Sequence, residues 1–262
     1  MSDPIVAEEA FEYKGLHNLR DLGGLHVRGG GHLRSGVLIR SDSLHAAEPE
    51  DVDHLLNTVG LVSILDLRSA RELDLDGTNE LIPATVAHHH FPIAGGPGGA
   101  IEGAPAGERL AARYLEYLDN DTHSIIGAIR TLANGRGGAT IVHCRVGKDR
   151  TGIVIALVLA AVGVEPGDIA RDYELTTEPM KRLMVQLRAS ATYAANVSLL
   201  PDEMYSSQAR TMLSFLGQLD SVHGGAANWM LGHGLAPAEL QALTDQLVTD
   251  DRQPHENKEH SE

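Results

Sequence analysis

The chain has 262 residues, 42% of them hydrophobic, which is enough apolar material for one sizeable folded domain. Its formal net charge of −15 argues against nucleic acid as the main partner, because binding to a polyanion depends on basic surface. It contains one cysteine, so intramolecular disulfides and multi-cysteine metal sites are excluded.

The chain ends carry little sign of targeting or membrane insertion. Residues 1–26 lack the basic and apolar regions of a secretory signal, and the longest apolar run, residues 153–164, is shorter than the roughly 20 residues of a membrane helix. We therefore expect a cytoplasmic monomer without stable membrane insertion, and export without a signal peptide stays open. Residues 250–262 are charged and poor in apolar residues, which predicts a disordered tail after a single domain over residues 1–249.

The first half of the chain alternates strand and helix patterns, as α/β proteins do. Branched residues predict strands over residues 36–40, 61–67 and 85–91. Apolar residues at helical spacing predict a helix over residues 48–59. The glycine-rich residues 95–103 predict a mobile loop. A long helical pattern follows over residues 108–132.

A buried strand, a tight turn and an apolar helix follow one another over residues 139–143, 144–150 and 151–162. In a parallel sheet this succession places a reactive group at the carboxyl edge of the strands. The rest of the chain has helical patterns, and no second sheet is expected; the predicted helices cover residues 180–197, 202–219 and 237–248.

The most informative stretch is HCRVGKDRTG, residues 143–152, in which five residues separate a cysteine from an arginine. A tight turn into a helix start can aim successive backbone N–H groups at an anion, and the helix dipole reinforces them. The same field favours a thiolate, so Cys144 is the predicted nucleophile. Arg150 can grip two phosphate oxygens, and Thr151 can donate its hydroxyl to the departing thiolate. The predicted anion-binding residues are Arg145, Val146, Gly147, Lys148, Asp149 and Arg150.

Other loops with a reactive cysteine or a bound anion fit this stretch less well. A nucleotide-binding P-loop needs a glycine where the chain has Val142 and a serine or threonine where it has Asp149. A sulfurtransferase loop is usually one residue shorter, and a thiol-relay arsenate reductase needs further cysteines. A buried structural cysteine beside a helix start is the remaining alternative, and the glycines, arginine and threonine around Cys144 argue against it.

The stretch resembles the active-site signature of the atypical bacterial tyrosine phosphatases of the PtpB type, which are similar to dual-specificity and phosphoinositide phosphatases. Further landmarks match in order: NLRDLGG at residues 18–24, RSD at residues 40–42 and DLRSARE at residues 66–72. The resemblance covers residues 15–175 specifically. It implies a protein-tyrosine-phosphatase-like α/β fold with a parallel sheet, a helical C-terminal part and a cysteinyl-phosphate intermediate without a metal. It also implies activity on phosphotyrosine, and in some members on phosphoserine, phosphothreonine and phosphoinositides.

A general acid is needed to protonate the leaving group, and cysteine phosphatases usually place an aspartate for this on a separate loop. Residues 95–103 contain no aspartate, only Glu102, while Asp119 and Asp121 lie in or just after a helical pattern. The resemblance points instead to Asp149. The alternative is that Asp149 pairs with a neighbouring arginine and holds the loop in shape.

Several other polar residues have two interpretations. Lys148 is a second cation for a substrate with more than one phosphate, or a solvated lysine. His143 is expected to bond to loop backbone rather than to exchange protons with Cys144. Consecutive residues on a strand cannot converge on one ion, and no carboxylate or cysteine accompanies the triplet His88 to His90 at ligand spacing, so it does not predict a metal site.

A set of charged residues near the loop is expected to pair mutually rather than to act in catalysis, because buried charges need partners; its members are Arg20, Asp21, Arg40, Asp42, Arg68 and Glu72. Residues 176–201 predict an amphipathic helix, which is either a lid over the pocket, as in similar family members, or plain core packing.

The predicted function is a cysteine-dependent phosphatase that acts on phosphorylated proteins without a cofactor or metal. A phosphoinositide phosphatase is the alternative, for which Lys148 is the main hint and the acidic charge a contrary one, since anionic membranes repel an acidic protein. A non-catalytic phosphate-binding module is the third hypothesis, and the presence of Cys144, Asp149 and Arg150 argues against it.

Overall fold

The computed structural model describes residues 11–94, 106–135, 137–189 and 206–249. Seven strands lie in this part of the chain: β1 (Arg20–Asp21), β2 (His32–Leu33), β3 (Leu38–Ser41), β4 (Leu61–Asp66), β5 (Ala87–His90), β6 (Ala139–His143) and β7 (Val248–Thr249). The helices of the N-terminal half are α1 (Pro49–Asn57), α2 (Ala70–Asp76), α3 (Ala106–Asn120) and α4 (Thr122–Ala133). Those that follow β6 are α5 (Asp149–Ala161), α6 (Pro166–Glu174), α7 (Thr177–Ala189), α8 (Ala209–His223), α9 (Ala226–Gly232) and α10 (Pro237–Leu247).

The main sheet has the strand order β1-β3-β6-β4-β5. The strands β3, β6, β4 and β5 are parallel, and only the edge strand β1 runs antiparallel, to β3. All five residues of β6 are buried, as expected for a central strand of a sheet covered on both faces. The predicted α/β fold with a mostly parallel sheet and a helical C-terminal part is therefore confirmed.

Two apolar clusters cover the two faces of the sheet. Alternate residues of each strand point to opposite faces, so Ile39, Ile64 and Ile141 join the cluster around α1, and Leu38, Leu65 and Val142 join the larger cluster of α3, α4, α5 and the later helices. α5, the helix that follows β6, lies inside the larger cluster with nine consecutive residues buried. The loop between β6 and α5 is thus held by a buried element at each end.

Two predictions about the elements are wrong. The single helix predicted over residues 108–132 is two helices, because the polar run at residues 119–122 (DNDT) favours a cap over a helix interior. A second sheet exists, in which β2 pairs antiparallel with β7. Two-residue strands are too short to show the alternation by which a strand is recognised.

Some predicted features extend past the described residues. The glycine-rich residues 95–103 and the predicted tail at residues 250–262 lie outside them, as do residues 190–197 of the predicted amphipathic helix. α8 begins at Ala209, later than the predicted start at residue 202. No helix in the described ranges combines the length and the apolar character that a membrane crossing requires.

Candidate active site

The loop at residues 144–150 connects the buried strand β6 to the N-terminus of α5. Cys144 stands directly after the strand and is 1% exposed. α5 begins at Asp149, two residues earlier than predicted, so Asp149 and Arg150 lie in its first turn. The dipole of α5 places partial positive charge at the end of the helix that follows this loop.

Three consecutive backbone carbonyls of the loop accept hydrogen bonds from residues outside the loop, and these bonds fix the orientation of its peptide groups. Arg145 O accepts from Ser43 N at 3.3 Å, Val146 O from Asn18 Nδ2 at 2.9 Å, and Gly147 O from Arg40 Nη2 at 2.7 Å. In a trans peptide the N–H points away from the C=O, and the chain has no cis peptide in its described parts. The N–H groups of residues 146, 147 and 148 therefore point to the opposite side of the loop.

Arg150 is held by a carboxylate of α2. Its Nη2 donates to Glu72 Oε1 at 2.8 Å, and its Nη1 donates to Glu72 Oε2. The N-cap residue of α2, Ser69, fixes this glutamate in turn, since its backbone N–H donates to Glu72 Oε2 at 2.8 Å. Burial alone would raise the pKa of Glu72, but the hydrogen bond and the charge of Arg150 lower it below its usual value, so the pair is ionised.

Asp149 is held at one of its two oxygens. Tyr114 Oη donates to Asp149 Oδ1 at 2.6 Å, and Lys148 Nζ lies 3.3 Å from the same oxygen. Lys148 is 1% exposed, so its interpretation as a solvated lysine is wrong. The arginine next to Asp149 is engaged by Glu72, and the ion pair of Asp149 is with Lys148 instead.

The charged residues around the loop do not pair mutually as expected. Arg20 and Arg40 both bind Asp172 of α6, with Arg20 Nε 2.7 Å from Asp172 Oδ1. Asp42 accepts backbone N–H groups of residues 17 and 18 instead of an arginine, and Asp21 accepts those of the turn glycines 23 and 36. The sequence could not show that a helix more than 130 residues away supplies the carboxylate for both arginines.

The family model described as "Tyrosine phosphatase family" matches residues 11–249 of this chain. The chain belongs to the tyrosine phosphatase family. It is 25% identical over 235 residues to the triple specificity protein phosphatase PtpB of Mycobacterium tuberculosis, covering 74% of this chain and 84% of that protein. It is also 25% identical to a tyrosine-protein phosphatase of Nostoc commune, covering 53% of this chain and 49% of that protein. The predicted family and the predicted phosphatase are confirmed, and its substrates are phosphorylated molecules.

The apolar face of α7 packs on the loop at residues 144–150. Val146 contacts the cluster formed by Met180, Leu183, Met184 and Leu187. Gln186 on the same helix is 2.9 Å from His17 Nε2, beside the segment that binds the loop. The predicted amphipathic helix is therefore present and lies against the loop, and its role as a lid stays a prediction.

A second polar cluster of the phosphatase lies on three neighbouring strands, at the last residues of β4 and β6 and at the second residue of β5. Ligand atoms of Asp66, His88 and His143 come within 4.8 Å of one another, so a carboxylate does accompany one histidine of the triplet, contrary to the expectation. Arg68 already donates to both oxygens of Asp66, at 3.0 Å and 2.6 Å. Its guanidinium opposes a cation at this carboxylate.

His143 bonds to the loop backbone, as predicted. Its Nδ1 donates to Cys144 O at 3.1 Å, an assignment that follows from the carbonyl being only an acceptor. Burial lowers the pKa of His143 to about 4, against the opposing effect of Asp66. A neutral His143 thus supports the loop and does not compete with Cys144 for a proton at neutral pH.

Sequence reasoning missed three residues that shape the site: Tyr114, Asp172 and Tyr173. Tyr114 and Tyr173 occupy apolar positions of α3 and α6 and are 0% exposed. A buried tyrosine hydroxyl usually finds a partner, so the pattern could indicate that each hydroxyl is bonded, but not to which group.

Proposed function

We propose that this chain hydrolyses phosphate monoesters through a cysteinyl-phosphate intermediate on Cys144. The observation that carries the proposal is the loop itself: a buried cysteine at a helix N-terminus, with three bound carbonyls that turn the N–H groups of residues 146, 147 and 148 to one side. Such N–H groups bind the oxygens of a phosphate, and the dipole of the helix adds to their field.

The first step transfers the phosphoryl group to sulfur. The Cys144 thiolate forms an S–P bond as the P–O ester bond breaks, and protonated Asp149 gives its proton to the leaving oxygen. In the second step a water oxygen attacks phosphorus, the S–P bond breaks, and Asp149 takes a proton from that water. The products are inorganic phosphate and an alcohol or phenol, and the enzyme returns to its starting state.

Arg150 and Thr151 assist both steps in this proposal. Arg150 binds two equatorial oxygens in the transition state, and its pairing with Glu72 keeps the guanidinium in place before substrate arrives. The Thr151 hydroxyl is buried and lacks a hydrogen-bond partner among the described residues, so it is free to donate to the thiolate as sulfur leaves.

The substrate class that we propose is phosphotyrosine, with phosphoserine and phosphothreonine accepted. Lys148 supports a second candidate, because a buried ammonium beside the phosphate loop suits a ligand with more than one phosphate, such as a phosphoinositide. Turnover of phosphopeptides and soluble inositol phosphates, measured side by side with wild type and Lys148→Met, separates the two. Loss confined to the inositol phosphates supports the second candidate.

Cys144→Ser tests the nucleophile. The substitution should abolish turnover but retain binding of inorganic phosphate, since the N–H groups and Arg150 remain. Because Cys144 is the single cysteine of the chain, alkylation by iodoacetate should also inactivate the protein with one label per chain, and phosphate should protect against it. Retained hydrolysis in Cys144→Ser would overturn the proposal.

Asp149→Asn tests the general acid. Hydrolysis of phenyl phosphate should slow by about 10²-fold or more, the scale of acid catalysis, while an activated nitrophenyl phosphate should slow much less. The basic limb of the pH profile should flatten. A uniform loss across leaving groups would mean that Asp149 only holds the loop, and the acid would then be sought at Glu102, Asp74, Asp76, Asp119 or Asp121.

A further inference from the structure

If Asp149 is the general acid, its carboxyl group must be oriented, because only one of its two oxygens carries the proton and that oxygen must point to the leaving group. The hydrogen bond from Tyr114 and the ion pair with Lys148 are both made at Oδ1 of this carboxylate. The side chain of Asp149 is 29% exposed, so it reaches the surface of the site while Oδ1 is held from within.

Tyr114 is fixed more firmly than a surface donor would be. It is 0% exposed, its ring packs edge-on against Phe215 at 5.8 Å and against Tyr173 at 6.3 Å, and its Oη is 2.6 Å from Tyr173 Oη. Burial and the charge of Asp149 raise the pKa of Tyr114 well above its ordinary value, so the hydroxyl keeps its hydrogen.

The direction of the hydrogen bonds follows from the number of hydrogens. Ionised Asp149 can only accept, so Tyr114 must donate its one hydroxyl hydrogen to Oδ1. Its oxygen can then accept from Tyr173, which gives a chain from Tyr173 through Tyr114 to Asp149. When Asp149 is protonated, Oδ1 remains the acceptor of this chain and the proton resides on Oδ2.

We infer that Tyr114 is a positioning residue for the reaction: it holds Oδ1 of Asp149 and thereby presents Oδ2, with its proton, to the leaving oxygen. This inference rests on the proposed acid role of Asp149. Tyr173 supports Tyr114 by donating to it. The three residues come from α5, α3 and α6, so the acid is aligned by the two helices packed beside it.

Tyr114→Phe removes only the hydroxyl that makes this contact. Hydrolysis of phenyl phosphate should slow by about 10-fold, part of what full loss of the acid gives, and nitrophenyl phosphate should be affected much less. Tyr13→Phe is the control, since its hydroxyl bonds to His54 Nδ1 at 3.0 Å and its ring packs on the cluster of the opposite face of the sheet. It should keep the leaving-group dependence of wild type.

A second readout separates positioning from general damage. In an Asp149→Asn background, Tyr114→Phe should cause no further loss, because a residue that acts through Asp149 has nothing left to position.

The outcomes are distinguishable. Uniform loss in Asp149→Asn overturns the acid role and the inference with it. A leaving-group-dependent loss in Asp149→Asn would keep the acid role. If Tyr114→Phe then shows no such loss, or if the losses of the two substitutions add in the double variant, only the inference about Tyr114 is overturned. If Tyr114→Phe fails to fold, Tyr173→Phe replaces it: a smaller loss with the same leaving-group dependence supports the chain, and an unchanged dependence contradicts it.

Discussion

Gly147 is the loop residue at which backbone conformation and surrounding space both exclude a side chain. Its φ is +71°, and a Cβ would stand 2.4 Å from Ser41 O and 2.7 Å from Asn18 Nδ2. Asn18 Nδ2 is the donor to Val146 O, and Ser41 follows Arg40, which donates to Gly147 O. A side chain here would therefore push apart the contacts that turn the N–H groups of residues 146, 147 and 148 to one side of the loop.

Gly147→Ala should reduce kcat/KM by about 10²-fold, since a misplaced loop loses its alignment with the reacting atoms. The matched control is Gly36→Ala, because Gly36 has the same φ of +71° with nothing within 4 Å of a Cβ. The control should lose about 1 kcal/mol of stability from backbone strain and keep its activity. Equal activity losses in the two variants would contradict the account of the loop.

At the scale of elements, α6 is tied to the sheet by one buried carboxylate. Asp172 pairs with Arg20 of β1 and Arg40 of β3, and Arg40 also donates to Gly147 O of the loop. Burial would raise the pKa of Asp172, but the two arginines lower it below its usual value. Asp172 and its two arginines therefore connect α6, the sheet and the loop through ion pairs and one hydrogen bond.

Asp172→Asn should destabilise the fold by about 3 kcal/mol, because it leaves two buried arginines without their counter-charge. Asp168→Asn, the same substitution on the same helix, removes a pair with Arg171, whose side chain is 74% exposed, and should lose less than about 1 kcal/mol. Urea unfolding of both variants measures the difference. Similar losses would mean that the buried cluster contributes no more than a surface pair.

Elements that depend on local sequence were predictable, and those that depend on distant partners were not. The strand, turn and helix around Cys144 lie within 23 consecutive positions, residues 139–161. They follow from the branched residues of the strand, the glycine of the turn, which has a positive φ, and the apolar run of the helix. The pairing of β2 with β7 depends on a partner more than 200 positions away. The hydrophobic pattern of a short segment contains no information about a partner so far away in the sequence. The break between α3 and α4 is an exception, since its polar residues are local and the helical spacing on either side hid it.

The same division holds within the site. Cys144, Asp149 and Arg150 could be named from one loop, and the expectation that they act in catalysis remains to be tested. The partners of the loop residues, among them Glu72 and Tyr114, come from helices that only the fold brings near. Charge alone predicted that the charged residues near the loop would pair with one another, and it missed their actual partners Asp66, Arg150 and Asp172 because a sequence contains no distance.

Over the whole molecule, the stability should depend on pH through His143. Its folded pKa of about 4 lies below the ordinary value of 6.5, so the unfolded chain binds the proton more readily between these values. The stabilisation of the folded state by neutral His143 is fully present above about pH 6.5 and is lost as the pH falls toward the folded pKa. Between pH 7 and pH 4 the loss should reach about 3 kcal/mol.

His143→Asn should remove this dependence, because asparagine does not titrate and can still donate to the Cys144 carbonyl. Urea unfolding at pH 7, 5.5 and 4.5 (roughly spanning the window of His143) measures the effect as the difference between wild type and variant. Titrating groups that do not interact with His143, such as Asp42, contribute to both proteins and cancel. Parallel stability curves for the two proteins would contradict the assignment.

The central claim is that phosphate passes through Cys144, and trapping the intermediate tests it most directly. Enzyme mixed with excess nitrophenyl phosphate, quenched in acid within the first turnover and digested, should carry a phosphoryl group on the peptide that contains Cys144. The modification should be absent in Cys144→Ser. A phosphoryl group on His143, or turnover in which no phosphoryl group is found on the chain, would contradict the account.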